Sequence, residues 1–320
     1  MIDHKLRANG IGSSEIAALV GLSPWAGPHD IWLRKLGLVA DEDSAALERG
    51  RFYERGTLDW YAHRTGSKYR TPGTMQHQRL PYVVDSVDAI AERADGERCV
   101  EAKTTGAFQN FDWGDEGTDQ IPDYYLTQCI WHMGVWGLGL CDVPVFDGRN
   151  LRIYTVQYDA ELFGALAEQA ARFWRDFVET KKEPPVDGRA STSEWIKARF
   201  RQKNETLIQA DAALIEAMRS YKTKRNSYEI LGDEVEALTN ALKVAIGEAS
   251  GIEVPGSKIK ITWKQQNGRQ YIDWQAIARH LAEIAGLPPE RLETLQKEFT
   301  KQGEPFRTFH AYSLIKAKEF

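Results

Sequence analysis

The stretch that decides the fold runs from residue 86 to residue 103 and reads SVDAIAERADGERCVEAK. Two runs with strand character flank Ala94-Asp95-Gly96, which is a typical turn sequence, so the stretch predicts a β-hairpin. Alternate side chains of a strand share a face, so Glu101 and Lys103 point the same way. If the turn centres between Ala94 and Asp95, Asp88 lies directly opposite Glu101.

Two carboxylates and one lysine on a single patch suit the hydrolysis of a phosphodiester. The carboxylates repel each other, and a hard divalent cation such as Mg²⁺ relieves that repulsion. The cation can hold a phosphate oxygen, and the lysine can position or deprotonate the attacking water or stabilise the developing charge. The alternative for Glu101 and Lys103 alone is an exposed ion pair on a sheet surface.

A third carboxylate, Glu54, falls on the apolar face of a helix predicted over residues 44–65. That face comprises Leu47, Glu54, Leu58 and Tyr61, spaced by 7, 4 and 3 residues. A carboxylate on a buried stripe is costly unless it is paired or binds a metal. A salt bridge with the neighbouring Arg51 is the alternative.

A helix predicted over residues 122–138 carries Tyr125 and Gln128. The two residues are three apart and therefore neighbours on one helix face. They either line the same cleft or lie on a partly exposed helix surface, and their spacing does not choose between these.

Composition excludes several classes of protein. The chain has 320 residues, 42% hydrophobic and 27% charged, as expected of a soluble globular protein. Its net charge of −5 argues against a protein that coats DNA along its whole surface. Three scattered cysteines without metal-ligand spacing fit a reducing cytoplasm. The chain shows no apolar signal core at its start and no membrane span.

After Pro184-Pro185 the sequence changes from alternating helix and strand patterns to a largely helical one. We therefore expect two domains, residues 1–190 and 191–320. The first is predicted to hold short helices within 10–39, a strand at 151–156 and a helix over 160–181. In the second, residues 205–249 are helical. Apolar residues there recur at spacings of 4, 3, 4 and 4, which predicts a helical hairpin or short coiled coil, followed by a small α+β unit. The seam consists of Leu231, Val235, Leu238, Leu242 and Ile246.

Taken together, the motifs of roughly residues 7–180 resemble those of the YqaJ-type phage recombinases. These are relatives of the lambda-type alkaline exonuclease in the PD-(D/E)xK nuclease superfamily. The similar motifs are GIGSSEI at 10–16, GLSPW at 21–25, ERGRFYE at 48–54, SVDA at 86–89, EAKTT at 101–105 and YLTQ at 125–128. Val87 and Ala89 stand where the family usually has proline and glycine.

The resemblance implies an α+β fold with a mixed β-sheet flanked by helices, the PD-(D/E)xK core, extended by the C-terminal hairpin and small α+β unit. It also implies roles for particular residues. Asp88, Glu101 and the Ala102 carbonyl would hold catalytic Mg²⁺ or Mn²⁺, and Glu54 would support a second metal or its water. Lys103 would activate or orient the nucleophilic water.

Gln128 and Tyr125 would complete that site. Arg7 and Ser14 would bind a 5′-phosphate. Without the resemblance, the sequence favours Arg7 as a residue of a free tail and Ser14 as a simple helix cap.

The function implied is an ATP-independent 5′→3′ exonuclease acting on the ends of double-stranded DNA. It would leave 3′ single-stranded tails for recombination with a single-strand annealing protein, and would assemble as a ring-shaped homotrimer. Two alternatives stand beside it: an endonuclease of the same fold, and a catalytically silent protein that binds DNA ends.

Overall fold

A computed structural model describes residues 3–39, 44–105, 113–201, 206–256, 259–265, 268, 272–301 and 309. The chain forms two compact units, Met1–Ala198 and Arg199–Phe320. No helix of the described ranges is both long and apolar enough to cross a membrane.

The first unit begins with four helices and continues as a sheet with further helices around it. The helices are α1 (His4–Ala8), α2 (Ser13–Leu19), α3 (Pro28–Lys35), α4 (Ala45–Thr65), α5 (Asp123–Trp136), α6 (Ala160–Phe173) and α7 (Ala190–Arg199). The strands are β1 (Lys68–Arg70), β2 (Met75–Gln76), β3 (Val84–Asp85), β4 (Ala89–Arg93), β5 (Gly96–Val100), β6 (Lys103–Thr104), β7 (Leu140–Phe146) and β8 (Leu151–Gln157). A π-helical segment, Trp174–Glu179, continues α6.

The predicted hairpin is confirmed as β4 and β5. Its antiparallel register runs from Arg93 opposite Gly96 to Ala89 opposite Val100, so the turn centres between Ala94 and Asp95. Gly96 has a φ of 124°, a conformation that glycine adopts without steric cost.

The sheet is mixed, as expected. Strands β1, β4 and β5 pair antiparallel, β5 and β6 both run parallel to β7, and β8 pairs antiparallel with β7. Cys99 lies opposite Cys141 and Lys103 opposite Val145, so β5 and β6 follow one line along β7 in a single register. The pairing between β4 and β5 stops at Ala89, and the chain beyond Val100 continues along β7 alone.

Helix α5 crosses the sheet and carries much of the core. Trp131, which is fully buried, donates from its indole Nε1 to the Val84 carbonyl at 3.0 Å. Gly134 lets the helix approach α6 closely, because a Cβ there would lie 2.2 Å from the Phe163 ring. These contacts fix which face of α5 turns toward the hairpin.

The segment after Pro184-Pro185 belongs to the first unit up to Ala198, whereas the sequence indicated a boundary near 190. His29 packs against Trp195 with 4.8 Å between ring centroids, and its Nε2 lies 3.1 Å from Glu183. Helix α7 therefore packs on the N-terminal helices, and the units separate only after it.

The second unit differs from the expectation at its helical part. Residues Ala212–Ile246 form one continuous helix of 35 residues, α8, instead of a hairpin. The rest of the described unit is a small α+β arrangement, with β9 (Gly251–Glu253) paired antiparallel to β10 (Lys260–Thr262). Two helices follow, α9 (Trp274–Ile284) and α10 (Pro289–Phe299).

Candidate active site

The hairpin brings Asp88 and Glu101 together one position beyond its last residue pair. Asp88 Oδ2 accepts a hydrogen bond from the Ala102 backbone N–H at 2.9 Å. Glu101 is only 3% exposed, and its backbone N–H donates to the Asp142 carbonyl of β7 at 3.0 Å. The carboxylates thus lie just beyond the paired part of β4 and β5. There the chain no longer pairs with β4 but still pairs with β7.

Lys103 lies on the same side as Glu101 and makes a buried ion pair with it. Its Nζ is 2.6 Å from Glu101 Oε1, and the lysine side chain is 16% exposed. Gln128 closes a triangle, because it accepts from Lys103 Nζ at 3.1 Å and donates to Glu101 Oε1 at 2.6 Å. The pair is therefore not the exposed surface ion pair that was the alternative.

Helix α5 places Tyr125 over the lysine. Lys103 Nζ lies 4.7 Å from the centroid of the Tyr125 ring, a distance at which a cation is attracted to an aromatic face. Gln128 is 8% exposed, whereas Tyr125 is half-buried, so this face of the helix is buried at Gln128 and partly open to solvent at Tyr125. An exposed indole, that of Trp25, lies beside Tyr125, with 6.3 Å between ring centroids.

Glu54 lies within electrostatic range of the same cluster. Burial raises the pKa of Glu54, the negative charge of Glu101 raises it further, and Lys103 opposes both. Leu58 and Tyr61 of its helix face are buried as expected. Leu47, expected to be buried on that face, is 54% exposed, because all of residues 44–49 are exposed and the helix becomes buried only further along.

Burial and the charges of the cluster shift the pKa values of the two central carboxylates in opposite directions. Burial raises the pKa of Asp88 well above its usual value, and the charges of Glu101 and Glu54 add to this effect while Lys103 opposes it. Burial also acts to raise the pKa of Glu101, but the positive charges of Lys103 and His132 outweigh it and lower that pKa to about 2. In the metal-free site Glu101 is thus stabilised as an anion, whereas the negative charge of Asp88 is disfavoured.

Lys103 keeps its charge in this setting. Burial lowers its pKa, but the charges of Glu101 and Asp88 outweigh that and raise it overall. A lysine held in this way donates hydrogen bonds and does not accept a proton. Of the roles that the sequence left open, the geometry favours orienting water or stabilising negative charge.

The donor set fits a hard divalent cation. Among the described residues, no three His, Cys, Asp or Glu side chains are grouped so as to hold a metal by themselves. Mg²⁺ commonly binds through one or two carboxylates, with water and substrate phosphate completing its shell. Asp88 and Glu101 supply oxygen donors of that kind, and their mutual repulsion favours a cation between them.

Two residues that sequence reasoning missed lie behind this cluster. His132, fully buried, has its Nε2 3.0 Å from Glu101 Oε2 and its Nδ1 2.8 Å from Asp85 Oδ2. Asp85 also accepts from the indole Nε1 of Trp136 at 2.8 Å. A signal was present, because His132 lies four residues after Gln128 and thus on the same helix face.

The structure brings Arg7 and Ser14 together. Arg7 Nη2 donates to Ser14 Oγ at 3.4 Å, and Arg7 belongs to α1, so it is not a free tail residue. The residue capping α2 is Gly12, so Ser14 is not the helix cap. The neighbouring Lys35 donates to the Arg7 carbonyl at 2.9 Å, which fixes this corner. None of the contacts between described residues joins the pair to Glu101 or Lys103.

Comparison with solved structures finds distant likenesses of the fold. LHK-Exo, an alkaline exonuclease from Laribacter hongkongensis solved in complex with dAMP, is 18% identical, covers 55% of this chain and 91% of its own, and gives a TM-score of 0.46. A phage-related exonuclease from Haemophilus somnus 129PT is 13% identical over 54% of this chain and 96% of its own, with a TM-score of 0.39.

Comparison by sequence is more specific. The uncharacterized protein YqaJ of Bacillus subtilis strain 168 is 28% identical over 251 residues, which are 76% of this chain and 77% of that protein. Residues 4–138 match the profile of the YqaJ-like viral recombinase domain. That range includes the hairpin, the Glu-Ala-Lys strand and α5. This part of the chain is therefore similar to the YqaJ-like viral recombinase domain, and the site described above lies within the matched residues.

Proposed function

We propose that this protein is a metal-dependent nuclease that digests linear double-stranded DNA from its ends. The observation that carries the proposal is the convergence of Asp88, Glu101 and Lys103, with the lysine buried against Glu101 Oε1 at 2.6 Å. Burying an ion pair costs more than burying apolar side chains, so a purely structural role gives little reason for this arrangement.

The residues divide the chemistry among them. Asp88 and Glu101 would hold Mg²⁺ or Mn²⁺, and Glu54 would support a second cation or its water. When bound, the cation polarises the phosphate and activates water for attack. Lys103 donates hydrogen bonds to the water and to the negative charge that develops on the phosphate. Gln128 fixes the lysine and Glu101 relative to each other, and Tyr125 covers the lysine.

The first prediction concerns Asp88→Ala, Glu101→Ala and Lys103→Ala. Each lowers the rate of Mg²⁺-dependent digestion of linear DNA by at least about a hundredfold, because each removes a ligand or a transition-state donor. The carboxylate variants also weaken Mg²⁺ binding measured by calorimetry, whereas the lysine variant leaves it nearly intact.

Glu97→Ala is the matched control for these variants. Glu97 lies on the same strand with a side chain 47% exposed, and its change leaves the rate unaltered. Full activity in any of the three site variants would remove that residue from the active site. Digestion of covalently closed circular DNA would show an endonuclease. Binding of DNA ends without cleavage in Mg²⁺ or Mn²⁺ would show a silent end-binding protein.

The direction of digestion is the finer part of the proposal. We propose 5′→3′ digestion that needs no ATP and leaves 3′ single strands for an annealing protein. Arg7 and Ser14 support it, because a guanidinium fork and a hydroxyl held 3.4 Å apart suit a terminal phosphate.

The second prediction therefore concerns Arg7→Ala. It reduces the preference for 5′-phosphorylated over 5′-hydroxyl ends by about ten- to a hundredfold, the value of one charge-assisted contact. Ser14→Ala reduces the preference more mildly, and Arg34→Ala, at an exposed position on α3, leaves it unchanged. The measurement is the ratio of digestion rates on the two substrates. An unchanged ratio in Arg7→Ala would mean that the 5′-phosphate is bound elsewhere.

A further inference from the structure

The strongest unexplained feature is a line of buried polar groups behind Glu101. It runs from the Trp136 indole through Asp85 and His132 to the carboxylate. His132 Nδ1 is 2.9 Å and 2.8 Å from the two oxygens of Asp85. On the other side of the ring, Nε2 is 3.0 Å from Glu101 Oε2, and the side chains of both His132 and Asp85 are 0% exposed.

We propose that Asp85 and His132 form a positioning pair that fixes the Glu101 carboxylate for cation binding. This inference rests on the proposed function, since it assigns the pair a role toward the metal ligand of that site.

The imidazole ring of His132 lies between two carboxylates. Its Nδ1 faces Asp85 and its Nε2 faces Glu101. Asp85 thus fixes the orientation of the ring, and the ring in turn lies against the Glu101 carboxylate.

The two oxygens of Glu101 are held in different ways. Oε1 accepts hydrogen bonds from Lys103 and Gln128, each at 2.6 Å. Oε2 faces the His132 ring at 3.0 Å as an ion pair, but accepts no aligned hydrogen bond from any described residue. Attraction to His132 thus steadies Oε2 while leaving it able to bind a cation.

Docking of the helix does not require this arrangement. Trp131 and Trp136 already join α5 to β3 through the Val84 carbonyl and the Asp85 carboxylate. Removing charges from water is expensive, and apolar side chains of similar volume would pack the same space at lower cost. The buried charges of Asp85 and His132 are better explained by what they do to Glu101.

Two substitutions of His132 separate positioning from packing. The amide nitrogen of glutamine reaches the place of Nε2 beside Glu101, whereas that of asparagine reaches only the place of Nδ1 beside Asp85. We expect His132→Asn to weaken Mg²⁺ binding and slow cleavage by about ten- to a hundredfold, as the loss of partners behind a metal ligand does. His132→Gln keeps Mg²⁺ affinity at least several-fold tighter than His132→Asn.

The readouts are Mg²⁺ affinity by titration calorimetry, the Mg²⁺ concentration for half-maximal cleavage, and thermal unfolding. His63→Gln, at an exposed position on α4, is the control and changes none of them. Equal Mg²⁺ affinity in the asparagine and glutamine variants would overturn the proposal, because only the glutamine amide reaches the side of the ring that faces Glu101. Asp85→Asn provides a second test, with weaker Mg²⁺ binding expected, and unchanged binding would also overturn it.

The outcome is distinguishable from a failure of the proposed function. If the wild-type protein cleaves no DNA in Mg²⁺ or Mn²⁺, the nuclease proposal fails. The calorimetric comparison of the His132 variants still decides whether the pair positions Glu101.

Discussion

At the scale of single residues, the site concentrates its electrostatic cost on Asp88. Its pKa is raised well above the usual value by burial and by the charges of Glu101 and Glu54. The folded protein therefore binds this proton more tightly than the unfolded chain does. The contribution of Asp88 favours folding at low pH and becomes unfavourable as the pH rises through the folded pKa.

The third prediction is that Asp88→Asn stabilises the metal-free protein at neutral pH while it abolishes cleavage. The measurement is the free energy of unfolding in urea with a chelator present, from pH 5 to 8. Asp59→Asn is the matched control, and it should lower the free energy of unfolding. Hydrogen bonds from Tyr69 and Arg55 lower the pKa of Asp59, so its charged form stabilises the fold. A loss of stability in Asp88→Asn would show that its hydrogen bond from Ala102 outweighs the repulsion.

The residues of the site differ in how far the sequence could reveal them. Glu101, Lys103 and Asp88 follow from strand alternation and turn position, which are local properties. The partners Asp85 and His132 depend on which face of α5 meets the hairpin, and that is decided by packing between distant segments. The helix spacing from Gln128 indicates the face but not the partner.

At the scale of elements, the approach of α5 to α6 depends on Gly134. The fourth prediction is that Gly134→Ala lowers the free energy of unfolding by about 1–3 kcal/mol, the usual cost of overpacking. The added Cβ would lie 2.2 Å from the Phe163 ring. Gly164→Ala, on α6 with open space around it, is the control and stabilises by about 0.5–1 kcal/mol. Equal changes in the free energy of unfolding of the two variants, measured by chemical denaturation, would show that α6 moves without cost to accommodate the added Cβ at residue 134.

The long helix shows where sequence patterns lose information. The apolar seam from Leu231 to Ile246 identified a helical segment but not its partner, because a seam has the same spacing whichever surface covers it. Between Ala212 and Ile246 the chain holds no proline and one glycine, Gly232. Nothing in that stretch enforces the break that a hairpin needs, and the helix continues.

At the scale of the whole molecule, the net charge of −5 bears on how DNA is retained. Non-specific affinity for DNA comes mainly from neutralised phosphates, so an acidic monomer has little hold on its substrate. We propose a ring-shaped homotrimer, in which the closed ring encircles the DNA and cyclic symmetry closes head-to-tail interfaces.

The fifth prediction is a trimeric mass by light scattering at micromolar protein concentration. Digestion of one long DNA should then continue when a large excess of competitor DNA is added after the start. A monomeric mass would contradict the ring, and so would digestion that stops at once on addition of competitor.

The turn at Ala94 and Asp95 lies six residues from Asp88, roughly 20 Å along the strand. The length of the turn sets the register of the two strands, and this register places Asp88 opposite Glu101. Deleting one codon there would slide one strand by a residue and turn its side chains to the other face of the sheet. The gene should thus accept many point changes at Ala94, yet no insertion or deletion of a single codon in this turn.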